Sequence, residues 1–154
     1  MAISTPELTE SPSNLTTSSH RRVVSALWLF VIRCYLYCDV LGFYYAPDLA
    51  DLLDGRVGAL ELTQGFLLGS AVLMSIPIGM TLVTRIASRP IARWSTVVAG
   101  AIMTIVQVAS LFVGELTMHY VYFSVLEIAT TAFVALYAGL RWRAVGPRRD
   151  SMPD

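Results

Sequence analysis

Four long apolar runs dominate the chain: Val23 to Tyr45, Leu62 to Val83, Trp94 to Val113 and Tyr120 to Leu140. Each comes close to the roughly 20 helical residues needed to cross a hydrocarbon core about 30 Å thick. Inside lipid no water is available to bond backbone N–H and C=O groups, so each run is expected to be a helix. The expected fold class is therefore an all-α integral membrane protein, an antiparallel four-helix transmembrane bundle. Composition points the same way, with 55% of the 154 residues hydrophobic, 14% charged and a mean hydropathy of +0.62. Soluble domains carry roughly 25% charged residues. Basic and acidic residues balance at eleven each. With no basic face, zinc-ligand spacing or Gly-rich phosphate loop, no nucleic-acid or nucleotide partner is implied.

Residues 1–20 are rich in Ser, Thr and Pro and lack an apolar period, so a disordered tail is expected there, as it is over residues 144–154. The pair Arg21–Arg22 precedes a run longer than a signal-peptide core, and that run is expected to stay in the mature protein. Arg21, Arg22, Arg85, Arg89, Arg93, Arg141, Arg143, Arg148 and Arg149 fall on one side of the four runs. The other side holds Arg56 among Asp48, Asp51, Asp54 and Glu61, with Glu115 in a second loop. Cytoplasmic flanks accumulate Lys and Arg, so both termini are expected to be cytoplasmic in a bacterial inner membrane. Tyr44, Tyr45, Tyr120, Trp94 and Trp142 suit the two interfacial belts. Pro77 is expected to kink the second helix, while Gly65, Gly69 and Gly79 are expected to admit neighbouring backbones.

Cys34 and Cys38 stand four apart on the first helix, a spacing with poor disulfide geometry in mid-helix. With no second pair for exchange, they read as small core residues.

The charged groups inside the apolar runs carry more information. Asp39 lies in the first and Glu127 in the fourth, and an ionised carboxylate near the membrane middle costs several kcal/mol unless paired or protonated. At 1.5 Å per residue, Asp39 lies about 9 Å below Tyr45 and Glu127 about 10 Å below Tyr120, at one depth in the outer half. Gln107 reaches the same depth and Gln64 is slightly shallower, so the four are expected to form one inward-facing cluster. Tyr35, Asp39 and Phe43 share one helical stripe. A second contains Tyr120, Phe123, Glu127 and Thr130 or Thr131, which brackets each acid with aromatic rings. Arg33 is six positions from Asp39 and not paired with it. Without an intramembrane Lys or His, at least one of the two carboxyls is expected to keep its proton. The plainer alternative is that Asp39, Gln64, Gln107 and Glu127 only hydrogen-bond the bundle together.

Leu27-Trp28-Leu29-Phe30, Tyr35, Tyr37, Asp39-Val40-Leu41-Gly42, Thr63-Gln64-Gly65-Phe66-Leu67-Leu68-Gly69, Ile76-Pro77, Arg93-Trp94, Ser110-Leu111-Phe112-Val113-Gly114 and Glu127-Ile128 together resemble a family of small bacterial four-span membrane proteins, mostly uncharacterised. The resemblance runs from about Leu27 to Trp142. In this size class the chain is also similar to actinomycete integral-membrane terpene cyclases of drimentine-type pathways. That resemblance implies an intramembrane acid that protonates a prenyl alkene or epoxide, with Asp39 and Glu127 at the carboxylate positions. Arg33 and Cys34 depart from the expected apolar or Asn residues there.

Physical chemistry is compatible with that activity. A desolvated carboxylic acid can protonate an alkene, and Tyr35, Phe43, Phe66, Tyr120 and Phe123 could face the resulting cation, with Gln64 and Gln107 beside them. The implied partner is a lipophilic prenylated substrate reached from membrane lipid. No cofactor or metal is implied, because the Asp-rich magnesium motifs of diphosphate chemistry are missing. Two other functions use the same residues: a proton-coupled small transporter, and a noncatalytic membrane subunit whose acids only fix packing. Association into a homo-oligomer is left open.

Overall fold

The computed structural model describes residues 12–113 and 116–140, with side chains from residue 19 onward. Four long helices, α1 (Pro12–Tyr44), α3 (Gln64–Ile86), α4 (Arg89–Ser110) and α5 (Met118–Leu140), are joined by a short helix α2 (Ala46–Leu53) and a hairpin β1 (Arg56–Val57) and β2 (Leu60–Glu61). Each long helix contains a stretch long and apolar enough to cross a membrane: Ser19–Tyr44, Gln64–Ile86, Arg89–Ser110 and Met118–Leu140.

Local chemistry sets the boundaries. Helix α1 starts at Pro12, which a first helical turn accommodates without losing a hydrogen bond. The boundary expected after His20 therefore falls inside a helix, and His20 itself bonds to the hydroxyl of Tyr137. The tail expected at residues 144–154 lies outside the described residues. Helix α3 is capped by Thr63, whose hydroxyl accepts from the Phe66 N–H at 3.2 Å, and it continues as one helix through the buried Pro77. Helix α4 starts five residues before Trp94, with a proline in its first turn. The outer segment expected to be loop contains α2 and the hairpin. Gly58 supplies the left-handed φ of 56° at the first of two loop residues, a conformation such turns take from glycine.

Helix α1 packs on α3 and α5, and α4 on α5 and α3, closing a ring of four. Contacts join the beginning of one helix to the end of its neighbour. Arg21 on α1 donates to the Arg85 carbonyl at 2.9 Å, and Arg85 donates to the Ser25 hydroxyl at 2.9 Å. Arg93 near the start of α4 donates to the Ala138 and Gly139 carbonyls at 3.0 and 2.9 Å. Arginines thus occupy the last carbonyls of α3 and α5, where cations interact favourably with the helix dipole.

The core is small: Val24, Trp28, Met80, Ala92, Ala99, Met103, Val134 and Ala138. Many large apolar side chains point outward instead, among them Leu68, Val72, Leu82, Ile105 and Leu136, as suits helices surrounded by lipid rather than water. On α3 only Pro77, Met80 and Thr84 are buried. The close approach expected at Gly65, Gly69 and Gly79 does not occur at them, because they lie on this thinly covered helix: nothing approaches a Cβ at Gly69 or Gly79 within 4 Å. It occurs at Gly100, where a Cβ would stand 2.9 Å from the Ala135 Cβ and 3.0 Å from the Thr131 carbonyl.

Candidate functional site

On α5 the buried positions are Ser124, Glu127, Thr131, Val134 and Ala138, alternating steps of three and four residues. Tyr120 extends the same line and is half-buried. One stripe of the helix therefore faces inward, and its N-terminal half is polar. Opposite it on α4, Thr104, Gln107 and Ser110 follow at three-residue steps.

These residues pair rung by rung. Tyr120 donates to the Ser110 hydroxyl at 2.7 Å, and Ser110 donates to the Gln107 carbonyl at 2.8 Å. Gln107 donates through Nε2 to the Ser124 hydroxyl at 2.9 Å. The Thr104 and Thr131 hydroxyls lie 2.8 Å apart, and Thr131 donates to the Glu127 carbonyl at 2.8 Å. Close contact at Gly100 brings the backbones together so that such short side chains can meet.

Glu127 sits within this line yet does not join it. It is 1% exposed, and its Oε1 finds no hydrogen-bond partner among the described residues. The buried hydroxyl of Tyr35 and the Nε1 of Trp28, both on α1, are likewise unpartnered. A buried polar group left without a partner costs about 1–3 kcal/mol. Helix α1, which carries Tyr35 and Trp28, packs directly against α5. The α1 side of the site is thus lined by polar atoms that still have hydrogen bonds to make.

Of the four polar residues expected to cluster, Gln107 and Glu127 are buried together on adjoining helices, whereas Asp39 and Gln64 are exposed. Two geometric facts explain the separation. Gln64 is the first residue of α3, more than three turns before Pro77, the first buried residue of that helix. Asp39 lies 11 residues after Trp28, at nearly the same angle around α1 but about 16 Å further along it, beyond Cys34, the last buried residue of that helix. Among the aromatics, Tyr35, Phe66, Tyr120 and Phe123 are half-buried, and Phe43 is 53% exposed. Phe123 packs edge-on against Tyr122 with centroids 5.5 Å apart. Cys34 is buried, Cys38 half-buried, and both are free thiols. No three His, Cys, Asp or Glu residues converge among the described residues, so they offer no donor set for a metal ion.

The family model aligns with nearly all of the bundle, from within α1 to just beyond α5. The chain belongs to DUF6326, a family of unknown function, whose model matches residues 16–146. No curated protein and no solved structure matches it. The DUF6326 match spans both Asp39 and Glu127, along with every rung of the α4–α5 ladder.

Sequence reasoning missed the ladder partners Thr104, Ser110 and Ser124. Their signal was available: small hydroxyls stand three residues either side of Gln107, and Ser124 lies four after Tyr120 and three before Glu127. Periods of that kind place side chains on one helical face.

Proposed function

We propose that this protein is a cofactor-independent acid catalyst of the bacterial inner membrane, with both termini cytoplasmic, that cyclises a prenylated lipophilic substrate. The orientation rests on the arginines at the helix ends that carry Arg21, Arg85, Arg89 and Arg93. The observation that carries the reading is Glu127: an enclosed carboxyl with one oxygen unpartnered, on a helix packed against α1, where the Tyr35 hydroxyl is unpartnered too. No ion pair involves it among the described residues. The neutral form of a carboxyl is the one that can give a proton away.

The chemistry assigns one role to each group. Glu127 transfers its proton to the CH carbon of a terminal prenyl alkene, the π electrons forming the new C–H bond and leaving a tertiary cation on the adjoining dimethyl carbon. With an epoxide, the proton goes to oxygen as the C–O bond breaks. An internal alkene then attacks the cation and closes a ring, and loss of a proton from a neighbouring carbon to the Glu127 carboxylate restores the acid. Tyr35 and Phe123, half-buried on the two helices that meet at Glu127, are the rings proposed to face the cation, and a favourably placed face stabilises a cation by about 0.5–2 kcal/mol. Asp39, exposed on α1, stands at the lipid-facing rim instead of sharing the donor role.

The test is Glu127→Gln in cells supplied with a panel of farnesylated indoles and analysed by mass spectrometry. Cyclised product should disappear while the variant accumulates in the membrane at the normal level. Undiminished product would overturn the assignment.

The arrangement of the acids favours a second reading. Asp39 at the rim and Glu127 inside make two stations at which a proton could pause, as a small proton-coupled carrier requires. Vesicles holding the purified protein would then acidify on addition of a transported solute. A catalyst that carries nothing leaves the internal pH unchanged.

A further inference from the structure

Between Val23 and Tyr44 the first span carries two charges, Arg33 and Asp39, and the protomer leaves both exposed. The one ion pair among the described residues is Asp54–Arg56, outside the long helices. Arg33 lies about 18 Å from Arg21 and about 16 Å from Tyr44 along the helix, close to mid-membrane, where either interface is a long reach. A charge facing lipid at that depth is strongly unfavourable unless it is paired.

The face between the two charges is apolar. Six residues separate Arg33 from Asp39, which is about 120° around the helix and about 9 Å along it. In the angle between them stand Leu29, Leu36 and Phe43, 38%, 59% and 53% exposed, at seven-residue spacing. Seven-residue spacing of apolar side chains flanked by opposite charges is the pattern of a helix that packs on another helix.

We propose that a second copy of this chain docks on this face of α1 about a two-fold axis along the membrane normal, Arg33 of each copy pairing with Asp39 of the other. A two-fold contact is self-complementary: the flank holding Arg33 on one copy faces the flank holding Asp39 on the other, so one contact pairs both charges. The axis keeps both copies at equal height. Both side chains start with the same lean toward the helix N-terminus, so the step of about 9 Å in height remains and is covered by the long arginine stem turning toward the C-terminus. A second copy is favoured over an unrelated acidic helix because one surface of this helix supplies both members of the pair. The partner copy also places a cation at the rim of the Glu127 site. The inference rests only on the helices spanning a membrane, and not on the proposed reaction.

Stepwise photobleaching of the full chain bearing one fluorophore, in lipid vesicles at low protein density, tests it. The unsubstituted protein should bleach in two steps, and Arg33→Ala and Asp39→Arg should each reduce the trace to one. The reciprocal variant carrying both Arg33→Asp and Asp39→Arg should return to two steps. A single step from the unsubstituted protein, two steps from Arg33→Ala, or a single step from the reciprocal variant with native helix content overturns the pairing. Should the reciprocal variant misfold, a Leu36→Cys chain lacking Cys34 and Cys38 takes its place: oxidation in native membranes should give a covalent dimer, and monomer alone overturns the interface. Glu127→Gln should remain two-step, which keeps failure of the dimer distinct from failure of the catalyst.

Discussion

Helix α5 faces two neighbours across one buried stripe, and the two sides treat polar atoms differently. Toward α4, the Tyr120–Ser110, Gln107–Ser124 and Thr104–Thr131 pairs are all closed. Toward α1, Glu127 Oε1 and the Tyr35 hydroxyl are buried and open. Polar groups hidden from water are ordinarily bonded, so the closed side reads as the attachment of one helix to another. Unspent hydrogen-bonding capacity lies on the other side, which is where the proposed reaction puts its substrate.

The two sides should therefore respond differently to substitution. Replacing Glu127 with Gln preserves shape and removes the transferable proton, and loss of a positioned general acid typically costs 10²–10⁴ in rate. Product formation should fall by at least about 100-fold, measured against membrane abundance, with thermal stability unchanged. A variant that loses stability instead would make Glu127 part of the attachment and erase the distinction. Gly100→Leu should be the most damaging change on the α4 side, since its side chain must displace Ala135 and the Thr131 carbonyl. Overpacking of this kind costs about 1–3 kcal/mol, readable as a lower midpoint of unfolding in mild detergent.

Ser124→Ala leaves Gln107 Nε2 without its acceptor. Bonds between membrane helices average about 0.6 kcal/mol with a maximum near 1.7, so the loss should fall in that interval. Tyr35→Phe sharpens the comparison most directly, because it removes a hydroxyl that has no partner among the described residues. Its stability should stay level or rise, while substrate turnover falls; equal loss of stability in Ser124→Ala and Tyr35→Phe would mean that the two sides do not differ. The smallest effect belongs to Arg56→Ala, which breaks an exposed contact of 3.8 Å with Asp54. An exposed pair is worth about 0–1 kcal/mol, so unfolding should shift little.

Glu127 was visible in the sequence because an acid within an apolar run violates the chemistry of its surroundings. Gln107 was visible for the same reason, and both prove to be buried. Asp39 and Gln64 met the same criterion yet remain exposed, since each lies outside the stretch over which its helix is buried, and that stretch is set by the neighbours. Ser110 and Ser124 drew no notice because hydroxyls are common in membrane helices and reveal a role only when a partner stands opposite.

What the sequence alone determined is the presence of four helices long and apolar enough to cross a membrane, because hydrocarbon length and backbone hydrogen bonding leave little choice. The rotation of each helix and the choice of neighbours were decided by tertiary structure. Those depend on contacts such as Gly100 against Ala135, where two atoms far apart in the chain must fit at van der Waals distance. Local periodicity cannot specify that fit, and it is the fit that pairs the polar groups along α4 and leaves Glu127 open toward α1.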